Sequence, residues 1–193
     1  MQKLIFALVI LFACIGSAWA GPFGTNMGDP IDKFEGVTPN KRVKNAYDTQ
    51  TMPTMHKDFF MYGLIIPPNY GLVKVLAISN FNANDIYGST IRELFKKIKT
   101  QIENKYGKAT AFFDFIQPDS IWKKGRHWLE GIKRGDRHLF AAWNLKNNKD
   151  NLSDISIEVF GTSENKSYII LSYEYENFSK YNKDVEGKGA EAF

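Results

Sequence analysis

From residue 59 onward the apolar residues fall into short blocks with two distinct periods, and each period names its element. Residues 59–66 and 72–79 are rich in aromatic and β-branched side chains. They flank Pro67-Pro68-Asn69-Tyr70-Gly71, a turn sequence, and so predict a β-hairpin. The period then changes. Ile91, Leu94, Phe95, Ile98 and Ile102 recur at three- and four-residue steps, which puts them on one face of a helix over residues 90–106, with Lys96 and Lys99 on its polar side. Thr90-Ile91-Arg92-Glu93 has the spacing of a capping box, and Glu93 and Lys97 stand one turn apart. Gly107 supplies the left-handed residue that closes such a helix.

Beyond it, residues 111–116 predict a strand stopped by Gln117-Pro118, and residues 128–133 a short helix between Gly125 and Gly135. Three strand-like segments follow, at 137–145, 154–162 and 167–176, joined by polar turns that predict an antiparallel meander. In the last of them Tyr168, Ile170 and Ser172 face one way and Ile169, Leu171, Tyr173 and Tyr175 the other. Both faces are partly apolar, which predicts an interior strand. Before the hairpin, Asp29-Pro30 starts a brief helix over residues 29–34, and residues 37–57 show no sustained period, the pattern of a long loop. After Phe178 the chain turns to Lys, Asn, Asp, Glu and Gly, so residues 179–193 read as a disordered polar tail. Together these elements predict a single α+β domain over residues 21–178, an antiparallel sheet with one long amphipathic helix packed on one face.

The first twenty residues follow a different logic. Lys3 precedes an apolar run over residues 4–15, and Ala18-Trp19-Ala20 then offers the small pair that a signal peptidase needs. The run is shorter than a bilayer-spanning helix, so no transmembrane span is expected. Cleavage after Ala20 predicts an exported product, periplasmic or secreted, that starts at Gly21. The alternative is the lipobox-like Leu11-Phe12-Ala13-Cys14, which predicts a lipid anchor on Cys14. Cys14 is the chain's single cysteine. A product that starts at Gly21 therefore has no thiol, which excludes disulfides and thiolate chemistry from it.

A net charge of +4, with bases interleaved among acids, is too small for a nucleic-acid footprint. There is no phosphate loop, dinucleotide fingerprint, acidic calcium loop or H-E-x-x-H, and the three histidines, His56, His127 and His138, form no ligand pattern. No metal site and no cofactor are expected. Weak candidates for acid–base chemistry are Asp114 and Asp119, flanking a strand end, and His127 with Glu130, three residues apart on a short helix. Ser120 lacks the G-x-S-x-G elbow of a nucleophile and reads as a cap. Candidate binding residues are Trp122 and Trp128, with Lys123, Lys124 and Arg126 in the densest basic stretch.

Gly21-Pro22-Phe23-Gly24 with Met27-Gly28, then Lys105-Tyr106-Gly107-Lys108, Asp114-Phe115, Ser120-Ile121-Trp122 with Trp128, and Tyr173-Glu174-Tyr175-x-Asn177 resemble a group of small exported bacterial proteins of unknown function. The resemblance implies an envelope or secreted location and carries no activity, ligand or catalytic residue. The reading of the chain is thus an exported binding or interaction protein with a protein or glycan partner in the envelope. The alternative is an exported hydrolase with an Asp, His or Glu acid–base pair.

Overall fold

The computed structural model describes residues 21–163 and 165–190; residues 1–20, on which the expected signal peptide and Cys14 fall, lie outside the described residues, as does the end of the tail. In chain order the elements are β1 (Thr38–Pro39), β2 (Ala46–Thr49), β3 (Phe59–Ile65), β4 (Lys74–Ser79), β5 (Asn82–Ala83), α1 (Ser89–Tyr106), β6 (Ala111–Ile116), α2 (Trp128–Arg134), β7 (Arg137–Asn144), β8 (Leu152–Gly161), β9 (Lys166–Tyr175) and α3 (Asn177–Ala190). The described strands make one antiparallel sheet in the order β1-β2-β3-β4-β9-β8-β7-β6, and β5 pairs with β9. The hairpin is β3 with β4, the meander is β7-β8-β9, and β9 is interior as its two apolar faces require.

Alternation decides which face is core. Leu64, Val75, Ala77, Ile169, Leu171, Ile155, Ile157, Val159, Leu139 and Trp143 are all buried on one side. Ile91, Phe95, Ile98 and Ile102 of α1, with Trp128, Leu129 and Ile132 of α2, close over that side. The fold is α+β with the helical stripe on one sheet face, as the periods predict.

The start of α1 is built differently from the expected capping box. The Asp85 carboxylate accepts the N–H groups of Ser89 (2.8 Å) and Ile91 (3.0 Å), reaching them because Gly88 turns the chain at φ 68°. A Cβ on Gly88 would come within 2.0 Å of the Trp128 ring, so this turn also packs α1 against α2. Lys97 pairs with Asp58 at 2.5 Å rather than with Glu93. Lys97 thus takes a tertiary carboxylate, whereas the α1 cap comes from a local one four residues before Ser89.

Two regions read as irregular are ordered. The stretch expected as a loop contains β1 and β2, and β2 is held by the backbone of β3 while the Thr49 hydroxyl donates to the Glu35 carbonyl. Its polar side chains follow from its place near the sheet's edge, where only the backbone needs a partner. The expected disordered tail is in fact largely helical, as α3. Asn177 anchors it by donating to the carbonyls of Tyr70 (3.2 Å) and Leu72 (3.3 Å), Tyr181 packs edge-on to Tyr70 at 5.8 Å, and the Tyr70 hydroxyl donates to Asp184. A few aromatic contacts offset the ordering entropy that composition alone leaves unopposed. Ending the chain after Phe178 is therefore expected to lower stability by about 1 kcal/mol, read as a shift of the urea midpoint.

Candidate functional site

Every residue singled out for chemistry lies in the corner formed by β6, the loop after it and α2. Asp114 stands on β6, exposed at the sheet's edge, with an oxygen 3.9 Å from an Arg137 guanidinium nitrogen. Asp119 is exposed in the following turn, and Ser120 caps that turn by donating to Asp136 (2.6 Å) and accepting the Trp122 N–H (3.0 Å). Lys123 and Lys124 are exposed.

The remaining polar candidates do meet. Trp122, Arg126, His127 and Glu130, with Ile86, Leu129 and Asn165, line a shallow pocket of about 260 Å³. The Trp122 ring meets the His127 ring edge-on at 5.5 Å, and Arg126 donates to His127 Nε2 at 3.2 Å. Glu130 is held by Lys133 and Arg134, each at 2.8 Å. Those two hydrogen bonds keep its carboxyl below the ordinary glutamate range, which suits a fixed anion and opposes a proton donor. Among the described residues Glu130 and His127 share no hydrogen bond, and Asp114 and Asp119 line another part of the surface. Trp128 is a core residue, 4% exposed, with Arg92 and Arg137 over its ring. It is removed from the candidate binding surface because α2 turns it inward.

The most unusual surface is one that pattern reading passes over. None of the described helices covers the second face of the sheet in the region of β6 to β8, and aromatic rings gather there. Phe115 stacks on His138 (5.3 Å), Phe113 on Phe140 (6.1 Å), and Phe160 on Tyr168 (5.7 Å), while Phe81 bridges Tyr168 and Phe60 at 5.4 Å each. The row runs out to β6, whose outer edge has no neighbour in the sheet. Gln117 donates to the Asp136 carbonyl across this strand pair at 2.8 Å. By antiparallel alternation the N–H groups of Phe113 and Phe115 then face β7, and those of Phe112, Asp114 and Ile116 face outward. Phe113 and Phe115 are 51% and 46% exposed. The signal in the sequence is Ala111-Phe112-Phe113-Asp114-Phe115-Ile116, apolar on both faces; its edge position is a property of the sheet order.

A third place is built by residues 21–25, the end of α1 and the end of β9. Residues 21–25 hook into the end of the core: the Phe23 ring meets Phe59, Tyr62 and Tyr173 edge-on, and Thr25 is fully buried against the Tyr175 hydroxyl at 2.6 Å. Nearby, Asp150 accepts the Tyr106 hydroxyl (2.6 Å) and pairs with Lys105 (2.7 Å), and Asn177 ties the Tyr173-Glu174-Tyr175 strand end to the residue 67–71 turn. These contacts are packing and hydrogen bonding, which gives these residues a structural role.

No helix of the described residues is long and apolar enough to cross a membrane, and none of their side-chain clusters joins three groups able to hold a metal. Compared with models of protein families, with curated proteins and with solved structures, the chain matches none.

Proposed function

We propose that this chain is an exported binding protein, of the bacterial envelope or secreted, that takes an extended segment of a partner protein onto the free edge of β6. One observation carries the reading: a six-residue edge strand with outward N–H groups and half-exposed phenyl rings at alternate positions. Soluble proteins blunt such edges with lysine, proline or a bulge. β6 has none of these, and its one charge, Asp114, lies beside Arg137. A partner strand would pair with the backbone and lay alternate side chains over Phe113 and Phe115.

The Phe113 and Phe115 rings, packed on Phe140 and His138, suit apolar side chains better than sugar hydroxyls, which favours a protein over a glycan at this surface. The exported location rests on the signal-like residues 1–20 and on the resemblance to small exported bacterial proteins. The hydrolase alternative draws no support from the His127 pocket, where both Glu130 oxygens are engaged.

A photoreactive residue at position 113, introduced in the native host, is expected to give one discrete protein adduct. The same probe at Lys96 on α1 should give none. Amide exchange of the purified complex should then slow at Phe112, Asp114 and Ile116. With the probe kept at position 113, Phe115→Lys should abolish the adduct while shifting stability by no more than about 1 kcal/mol. Equal labelling from position 96, or binding that leaves those amides unprotected, would overturn strand addition.

A further inference from the structure

Away from β6, the face of α3 that carries Asn177, Lys180, Tyr181 and Asp184 leans over the residue 67–71 turn and the Lys44-Asn45 corner. It leaves a groove of about 800 Å³ between them. That volume is in the range of ligand sites, whereas the His127 pocket is below it. We infer that this groove binds an anionic saccharide.

Charge is the first argument. Lys44 and Lys180 are both exposed at the groove, and neither has a carboxylate partner among the described residues. The acid in the lining, Asp184, already accepts the Tyr70 hydroxyl, and that bond raises the tyrosine above its ordinary range and fixes both groups. Lys44 is uncommitted, Lys180 lies 5.9 Å from the centre of the Tyr70 ring with no carboxylate partner among the described residues, and the acid of the lining is committed to Tyr70, a field that favours a negatively charged guest.

Shape and polarity narrow the guest further. Tyr70 and Tyr181 meet edge-on at 5.8 Å, and beside them Pro67 and Pro68 add apolar wall, so the lining offers flat apolar surface to the C–H face of a sugar ring. The Asn69 amide, exposed in the lining and without a hydrogen-bond partner among the described residues, brings both a donor and an acceptor for ring hydroxyls. Asn45 donates to the Tyr181 hydroxyl at 3.4 Å and so sets the second tyrosine in place. Aromatic faces, amides and paired lysines together match a sugar that carries a carboxylate or phosphate better than they match a bare anion, which would leave the rings unused.

The site is independent of the β6 edge, so either proposal can fail alone. Isothermal titration of the chain with a short oligomer of galacturonic acid tests it, beside the matching neutral galactose oligomer and inorganic phosphate. The acidic oligomer should bind, the neutral one at least about tenfold more weakly, and binding should weaken with added salt. Lys44→Ala with Lys180→Ala should cost about tenfold in affinity without moving the melting temperature, since both side chains are exposed. Asn69→Ala should weaken the acidic oligomer and leave the salt dependence intact. Phosphate binding as tightly as the oligomer would reduce the groove to an anion site and overturn the saccharide reading. So would equal binding of the neutral oligomer, indifference to the lysine substitutions, or no binding by any probe.

Discussion

Replacing Phe95 by alanine is expected to cost about 3 to 5 kcal/mol, a large part of the 5 to 15 kcal/mol that holds a typical domain together. Phe95 is 3% exposed at the centre of the α1 stripe, between Ile91 and Ile98, and its ring also reaches Phe112 of β6 at 6.4 Å. Truncation removes the buried ring and leaves a cavity that a sheet on one side and a helix on the other cannot close. The control is Lys96→Ala, at an exposed position, which should stay within about 0.5 kcal/mol. Lys99 is a poorer control than its place in the pattern suggests, because its ammonium pairs with Glu103 at 2.8 Å and lies 5.4 Å from the Phe112 ring centre. Urea melts of the three variants read the contrast directly. A Phe95→Ala protein as stable as the parent would mean that the stripe does not anchor the core.

The second large effect is a loss of stability in alkali. Burial raises the phenols of Tyr106, Tyr173 and Tyr175 above the ordinary value of 10.0; Asp150 adds to the rise at all three, and at Tyr175 the Thr25 hydroxyl opposes it in part. Below pH 10 both the folded and the unfolded chain keep these protons, and the contribution of the cluster is intact. Above pH 10 the unfolded chain releases them while the folded chain retains them, so unfolding gains favourable proton release. Each tyrosine then removes about 1.4 kcal/mol per pH unit, and the three together about 4 kcal/mol per unit until the fold gives way. In a spectrophotometric titration the tyrosines that burial raises, these three and Tyr62, should ionise together with the loss of native circular dichroism. Tyr106→Phe should remove about 1.4 kcal/mol per pH unit from the slope, and would also leave Asp150 with Lys105 as its one remaining side-chain partner among the described residues. Reversible ionisation of all tyrosines in a folded protein would contradict the burial of the cluster.

The candidate site was legible in part. Trp122, Arg126, His127 and Glu130 do share a pocket, because a short helix and the turn before it bring residues a few positions apart together. What sequence spacing leaves open is the state of each group once Lys133 and Arg134 have taken Glu130, or whether Trp128 points out or in. Phe113 and Phe115 were missed for the opposite reason: an apolar six-residue strand looks the same whether it lies inside a sheet or at its margin. The α3 groove was missed because its walls come from residues 44–45, 67–70 and 177–185, more than a hundred positions apart at the extremes.

By itself the sequence determined the local elements: the helix expected over residues 90–106, the hairpin, β6 and the meander, all within one residue except at the start of β4 and of β8, each two residues away. Their periods of 3.6 and 2 arise from backbone geometry that each segment carries alone. Tertiary structure decided everything that depends on which segments become neighbours. It chose Asp58 as the partner of Lys97. It lent β1 and β2 the ladder they lack as isolated segments, and it made a helix of a polar tail by giving Asn177 and Tyr181 something to hold. It also left β6 at the margin with one row of backbone groups unpaired. Periodicity reports how a segment sorts apolar from polar residues, whereas edge position and grooves depend on groups brought together across the chain, and only the folded sheet order supplies those.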